Sequence, residues 1–315
     1  MGGKWRRIWA VIAAFAVFSA ALIVTSRGFG GHLLAHPGAL DATSVSLWLT
    51  RAILPLLGAL ACWSACLGLG RRAARAAGFK PGDVVAAALG LGSFAQAVFL
   101  LAWAGVLNRP ALAALAGAAA ALAYPLRARS IPMPPRPRAL WQELAAGLLA
   151  FAAFAVLATS LAPTLEWDVR AYHLALPEIY LRAGGLRDLP WMIHSHWPRL
   201  METFYALPLA FGSDSTAALI HAGAAALLVG ATAASAGSAA AGWAAALTLA
   251  GQPALLRTAA AAHCDAASAL FVFAAALALS QWEEKRADAT LVIAGLLAGL
   301  AASTNLLGVA ALGAW

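Results

Sequence analysis

Charge is what this chain has least of. Asp, Glu, Lys and Arg make up 11% of its 315 residues, and 63% are hydrophobic, with a mean hydropathy of +0.79. A water-soluble globule is excluded, since such domains carry about 25% charged residues. Cysteine is scarce too. Of three cysteines, Cys62 and Cys66 lie one helical turn apart in an apolar run and Cys264 stands alone, so no disulfide framework or Cys-x-x-Cys metal motif is written. Fixed-period repeats are lacking, as is the alternating pattern of barrel strands. The apolar runs also avoid charged groups almost completely: His221, Gln252 and Asn305 are the main polar residues near them, which disfavours a transporter with charged groups near the bilayer midplane.

What is there is a series of long apolar runs. Crossing a hydrocarbon core of roughly 30 Å takes about 20 residues as helix, and only helices or closed barrels satisfy their backbone in lipid. Nine candidate spans fall at Ile8 to Thr25, Leu47 to Leu69, Val84 to Val106, Ala111 to Leu126, Leu144 to Ala162, Ser215 to Ala234, Ala239 to Leu256, Ala266 to Gln281 and Leu291 to Ala314. The expected fold is therefore an all-α, polytopic membrane helix bundle. Met1 to Arg7 and the run after it lack a convincing cleavage site and read as an uncleaved first helix.

The net charge of +8 is explained by topology rather than by nucleic acid. With the N-terminus in the cytoplasm, 13 of the 21 basic residues fall on inside segments: Lys4, Arg6, Arg7, Arg71, Arg72, Arg75, Lys80, Arg127, Arg129, Arg136, Arg138, Lys285 and Arg286. Arg51 in the second run is expected to snorkel to the exterior. The segment Arg127 to Arg138, rich in proline and arginine, reads as a cytoplasmic linker. It separates a four-span module, residues 1–139, from a module over residues 140–315 with five spans and a polar exterior loop at about 163–214. The ninth run is still apolar at Trp315, so the second module is expected to be incomplete at its C-terminus. The alanine-rich tract from Ala217 to Ala262 reads as close helix packing through small residues.

The exterior loop carries the chemistry-bearing residues. Leu144 to Leu165 is uncharged and ends abruptly in Glu166-Trp167-Asp168, which opens a polar segment reaching to Asp214. Val169, Tyr172, Leu176, Ile179, Tyr180 and Ala183 recur at three- and four-residue spacing, predicting an amphipathic helix capped by Asp168, ended by Gly184-Gly185, with Arg170, His173, Glu178 and Arg182 off its apolar face. A second short helix is predicted from Pro198, carrying Leu200, Met201, Phe204, Tyr205 and Leu207, with His194, His196 and Trp197 on the loop between.

The order of an apolar span, Glu166-Trp167-Asp168, Ala171-Tyr172-His173-Leu174, Pro177, Tyr180-Leu181 and Gly184-Gly185 resembles the first exterior loop of C-type (GT-C) glycosyltransferases, especially bacterial relatives of protein mannosyltransferases and lipid A aminoarabinose transferases. Pro253 followed by Asp265 is similar to a later exterior loop of that family that carries a second acid. Gly295 to Thr304 resembles a family helix that usually continues into lysine, where this chain has Asn305. If that lysine helps hold a phosphate in relatives, its loss bears on donor binding. The likeness covers about Leu144 to Trp315.

It implies a multi-pass bacterial inner-membrane enzyme with a GT-C-like fold and a periplasmic or exterior active loop. Such an enzyme passes sugar from a polyprenyl-phosphate donor to a cell-envelope glycan, lipid or protein. No cofactor is implied beyond the lipid-linked donor, with a divalent metal left open. Asp168 is the candidate catalytic base and Glu166 the second acid. Arg170, His173, Arg199 and Arg257 are candidates for the phosphate, and Asp265 for the acceptor side. A carboxylate desolvated at the membrane edge suits a base because burial raises its basicity.

Plainer readings stand beside these. Asp168 as a helix cap, Glu166 as a marker of the water boundary and Asp265 as a cap each account for an acid. His194 and His196 could share a metal with Glu166 or Asp168, or be solvated. In His263-Cys264-Asp265, adjacent helical side chains diverge, which argues against a joint metal site. The tryptophans Trp141, Trp167, Trp191, Trp197 and Trp282 read as interface anchors, with Trp167 also able to stack on a sugar. The competing function classes are a transporter or flippase for a lipid-linked or small substrate and a catalytically inactive glycan-binding relative.

Overall fold

Long apolar runs form helices here because in lipid only a helix satisfies the backbone within one segment, and the seventh and ninth runs break at Pro253 and Asn305. The computed structural model describes residues 42–79, 81–123, 136, 137 and 139–312. The first half holds α1 (Ala42–Ala76), α2 (Asp83–Trp103), α3 (Arg109–Ala123) and α4 (Leu140–Leu161). The loop segment adds a π-helical turn (Val169–His173), α5 (Ala175–Ala183), a 3₁₀ turn (Ile193–His196), α6 (Leu200–Phe204) and α7 (Ala206–Ala210). Then follow α8 (Asp214–Ser235), α9 (Ala239–Ala250), α10 (Pro253–Ala259), α11 (Asp265–Lys285), α12 (Asp288–Thr304) and α13 (Leu306–Leu312). No strand occurs among the described residues.

Five helices are long and apolar enough to cross a membrane: Arg51–Ala76 within α1, α2, α4, α8 and α11. The pair α9 and α10 adds a sixth if counted as one span broken by a 70° bend. The expected first span, Ile8 to Thr25, lies outside the described residues. Of the fourth run the described residues form the 15 residues of α3, and the ninth yields the 17 residues of α12 before it breaks. The breaks in the seventh and ninth runs have local causes. Pro253 lacks an N–H and sits at the first position of α10, so the seventh run turns there instead of continuing. Asn305 is extended, at φ −153° and ψ 147°, and separates α12 from α13.

Large apolar side chains cover the outside of this bundle: Leu57, Leu60, Leu144, Leu148 and Leu307 are each more than half exposed. That is the surface expected of helices solvated by lipid. Inside, small residues set the spacing. A Cβ on Gly70 would sit 1.7 Å from the Ala86 carbonyl oxygen, and one on Gly90 would sit 1.6 Å from that of Cys66. Only glycine permits α1 and α2 to cross so closely. One continuous core runs from Ala59 through Phe94, Phe204 and Phe271 to Ala301, so α1 to α3 share buried contacts with the later helices.

The loop segment is pinned over one end of the bundle. Leu107 N donates to Gly184 O at 2.9 Å, and Leu186 N donates to Ala102 O at 2.9 Å, tying the end of α5 to the end of α2. Gly184 stops α5 in the left-handed region, at φ 73°, as its sequence position predicts. Phe204 packs edge-on against Phe94 of α2, and Tyr205 OH donates to the carbonyl of His263. The end of α4, the starts of α8 and α11 and the end of α12 therefore meet beneath the loop. At the opposite end Arg71 pairs with Asp83 at 2.7 Å across the α1–α2 turn.

Candidate functional site

The loop opens differently from the amphipathic helix expected. Asp168 has helical dihedrals, φ −58° and ψ −42°, and its side chain makes no capping hydrogen bond, so the capping role is not observed. Residues 169–173 form a π turn, in which Leu174 N reaches back five residues to Val169 O. A π turn inserts one extra residue per turn and shifts the side chains relative to a 3.6-residue stripe. That explains the largest departure from the sequence reading. His173, expected off the apolar face, is buried at 3% exposure. Val169, Leu176 and Tyr180 are buried as expected, and Arg182 pairs with Glu178 on the exposed side.

His173 Nδ1 lies 2.8 Å from Glu202 Oε1, and both side chains are buried. Glu202 comes from α6, whose five residues are all buried because the helix is wedged between α2, α5 and α12. Next to this pair, His263 Nε2 lies 3.1 Å from Glu166 Oε2, and Arg257 Nε lies 3.9 Å from Glu166 Oε1. His263 Nδ1 is 4.0 Å from Asp265 Oδ2, and Asn305 Nδ2 donates to Asp265 Oδ1 at 3.1 Å. The rings of His173 and His263 meet edge-to-face at 4.8 Å, and His221 from α8 lies 6.3 Å beyond His263. His221 Nε2 accepts from Ala266 N at the first turn of α11, a buried bond that fixes where that helix begins.

These groups surround a polar cavity of about 240 Å³. Its walls include Glu166, Asp168, Tyr172, His173, Glu202, Arg257, His263, Cys264, Asp265 and Asn305. Beside it lies a larger cleft of about 630 Å³, lined mostly by apolar residues in α8 and in or just after α4 and α10, such as Pro163, Ala218, Leu256 and Ala260. Glu166 and Arg257 belong to both. An aromatic rim stands at the polar side: His194 stacks on Tyr172 at 4.0 Å with planes 5° apart, and Trp197 meets both edge-on.

Burial, and next the charge of Asp168, push the Tyr172 hydroxyl well above its usual range, so it is a neutral hydrogen-bonding group. Burial and then the Glu202 carboxylate raise the Cys264 thiol, and the same two causes in the same order raise Tyr205.

Of the residues singled out from the sequence, Glu166, Asp168, His173, Arg257 and Asp265 converge on the cavity, with Asp168 and Arg257 exposed at its mouth. Arg170 is exposed and does not line it; Arg199 stands 5.7 Å over the Tyr180 ring and is spent on packing. His196 pairs with Asp188 at 2.9 Å and His194 stacks on Tyr172, and among the described residues neither is grouped with Glu166 or Asp168 as metal ligands. Sequence reasoning missed Glu202, Cys264 and the site role of His263. Glu202 sat in a short stripe of apolar residues, where an acid reads as solvated. The one available signal was Asn305, polar at the end of an apolar run, which reaches Asp265 and Cys264. No known protein family, curated protein or solved structure matches this chain.

Proposed function

We propose that this chain is an integral membrane glycosyltransferase that passes a sugar from a polyprenyl-phosphate donor to a cell-envelope acceptor. The observation that carries the reading is the sharing of Glu166 and Arg257 between an apolar cleft of about 630 Å³ and an acid-lined cavity of about 240 Å³. A lipid-linked sugar has that division: an isoprenoid tail for the cleft, a phosphate at the junction and a sugar for the polar side. The reading keeps the GT-C-like architecture of about nine spans, with the N-terminus in the cytoplasm of a bacterial cell and the loop on the outer face of its inner membrane. It is supported by Arg71, Arg72, Arg75, Lys285 and Arg286, which all lie at the bundle end opposite the loop.

In the proposed reaction the acceptor hydroxyl gives its proton to Asp168 as its oxygen bonds to the anomeric carbon. The bond from that carbon to the phosphate oxygen breaks, and the electron pair leaves with polyprenyl phosphate. Asp168 suits the base because it is at the cavity mouth and pairs with no cation among the described residues, whereas Glu166 lies within 4 Å of both His263 and Arg257. Arg257 is placed to meet the departing phosphate, which needs charge stabilisation more than a strong acid. Asp265 and the Tyr172–His194–Trp197 rim would hold the acceptor. His173, held in the cavity wall by Glu202, supports the cavity instead of touching phosphate.

The test is transfer by the protein in nanodiscs, given polyprenyl-phosphate sugars and a cell-envelope extract. Wild type is expected to transfer sugar, and Asp168→Asn to lose transfer while keeping its fold. A second reading rests on the row of imidazoles from His221 in α8 through His263 to His173, which would suit a proton-coupled transporter. Substrate accumulation in sealed vesicles without transfer would favour it.

A further inference from the structure

In the cavity wall, three buried side chains of different donor chemistry face one another, and the proposed transfer reaction uses none of them. His173, Glu202 and Cys264 each offer a ligand atom, and these atoms lie within 4.8 Å of one another. They come from the π turn, from α6 and from the residue before α11, so the fold brings them together across 91 residues of chain numbering, from 173 to 264. All three are about 95% or more buried.

Glu202 Oε2 has no hydrogen-bond partner, although Glu202 is only 4% exposed. The sole ion-pair partner of Glu202 among the described residues is His173, through the other oxygen. A buried carboxylate with one oxygen unsatisfied beside a thiol is a costly arrangement unless a cation completes it.

We propose that His173, Glu202 and Cys264 form a divalent transition-metal site, with zinc the ion that fits best. An imidazole nitrogen, a carboxylate oxygen and a thiolate are the mixed donor set that zinc accepts, and three protein ligands leave a fourth position toward the cavity. A tetrahedral zinc sets its donor atoms about 3.3 to 3.6 Å apart. The present separations, from 2.8 Å to at most 4.8 Å, bracket that spacing, so side-chain shifts of about an ångström would complete it. On binding, the Cys264 S–H releases its proton to solvent and the sulfur bonds the ion as thiolate. His173 binds through Nδ1: the proton that Nδ1 now donates to Glu202 leaves it, and the neutral ring carries its hydrogen on Nε2 instead. Asn305 Nδ2, 3.5 Å from Cys264 Sγ, donates to that sulfur and steadies the thiolate. The site is independent of the sugar-transfer reading: an ion here would brace the cavity wall whatever the substrate.

The test uses the full chain in detergent, freed of any affinity tag and stripped with chelator, then given Zn²⁺ or Co²⁺ alone. About one zinc per chain is expected to survive gel filtration, and the cobalt form is expected to show a thiolate-to-cobalt charge-transfer band. Cys264→Ser should remove the band and weaken zinc binding by at least about 100-fold, Glu202→Gln should weaken it by about 10-fold or more, and His196→Ala should change neither. If Cys264→Ser fails to fold, alkylation of Cys264 in a Cys62→Ser, Cys66→Ser background gives the same answer, since zinc should block it. No zinc retained by wild type, or zinc retained equally by Cys264→Ser and Glu202→Gln, or alkylation unaffected by zinc, would overturn the site. These readouts report the metal alone, so they succeed or fail separately from sugar transfer.

Discussion

Replacing Glu202 separates what its shape does from what its charge does. Its Oε1 lies 2.8 Å from His173 Nδ1, with the two side chains 5% and 4% exposed, and its Oε2 makes no hydrogen bond. Glu202→Ala leaves the His173 ring nitrogen without a partner in the interior and opens a cavity under the loop. Breaking a buried pair in this way costs about 3 to 5 kcal/mol. Glu202→Gln keeps an oxygen for His173 and removes a desolvated charge that is only half satisfied, so its net effect on stability is expected within about 1 kcal/mol. The assay is thermal unfolding in detergent with chelator present, where the alanine variant should melt lower by roughly 2 °C or more per kcal/mol and the glutamine variant close to wild type. Charge is read through Cys264. The thiol is raised above its ordinary range by burial and by Glu202, so at pH 8 it is almost wholly protonated and its alkylation speeds up as pH rises. Glu202→Gln removes part of that upward shift, so thiolate forms at lower pH and alkylation at a fixed pH becomes faster. A glutamine variant as unstable as the alanine one, with alkylation unchanged, would refute the reasoning.

Other expectations follow from the same geometry. Gly90→Val should force α1 and α2 apart and cost about 1 to 3 kcal/mol or more, measured as lost folded yield. By contrast, Gly117→Ala, whose new Cβ meets nothing within 4 Å, should be neutral or stabilising by up to about 1 kcal/mol. Leu148→Arg on the outward face of α4 should raise the cost of membrane insertion by about 2.5 to 3.5 kcal/mol, seen as reduced integration of this helix in an insertion assay. Asp168→Asn should lower kcat of sugar transfer by about 10² to 10⁴ with little change in KM, as loss of a general base does. Arg257→Ala should act mainly on the phosphate end and raise KM for the donor.

The helices were legible because periodicity and hydropathy are local. So was the Gly184 stop, whereas the seventh run reads straight through Pro253, where a new helix in fact begins. What sequence could not show was set by contacts between distant segments. The π turn at residues 169–173 has the side-chain pattern of an ordinary helix, and only its placement turns His173 inward. Glu202 is buried because α6 is wedged against α2, which nothing in five residues announces. His263 and Cys264 diverge along the chain, as expected of neighbours, yet they meet Glu166 and Glu202 respectively because each finds its partner on a different segment. Arg170 and Arg199 were chosen by charge, and charge does not say which way a side chain points.

The account rests on one lipid-linked molecule lying across the cleft and the cavity. A photoreactive polyprenyl-phosphate probe, crosslinked to the protein in nanodiscs and mapped by mass spectrometry, tests this most directly. The account predicts labelling of cleft residues such as Pro163, Leu256 and Ala260, competed by unlabelled polyprenyl phosphate and weakened by Arg257→Ala. Labelling spread over the lipid-facing surfaces of α1 and α4, unaffected by competitor or by Arg257→Ala, would contradict it.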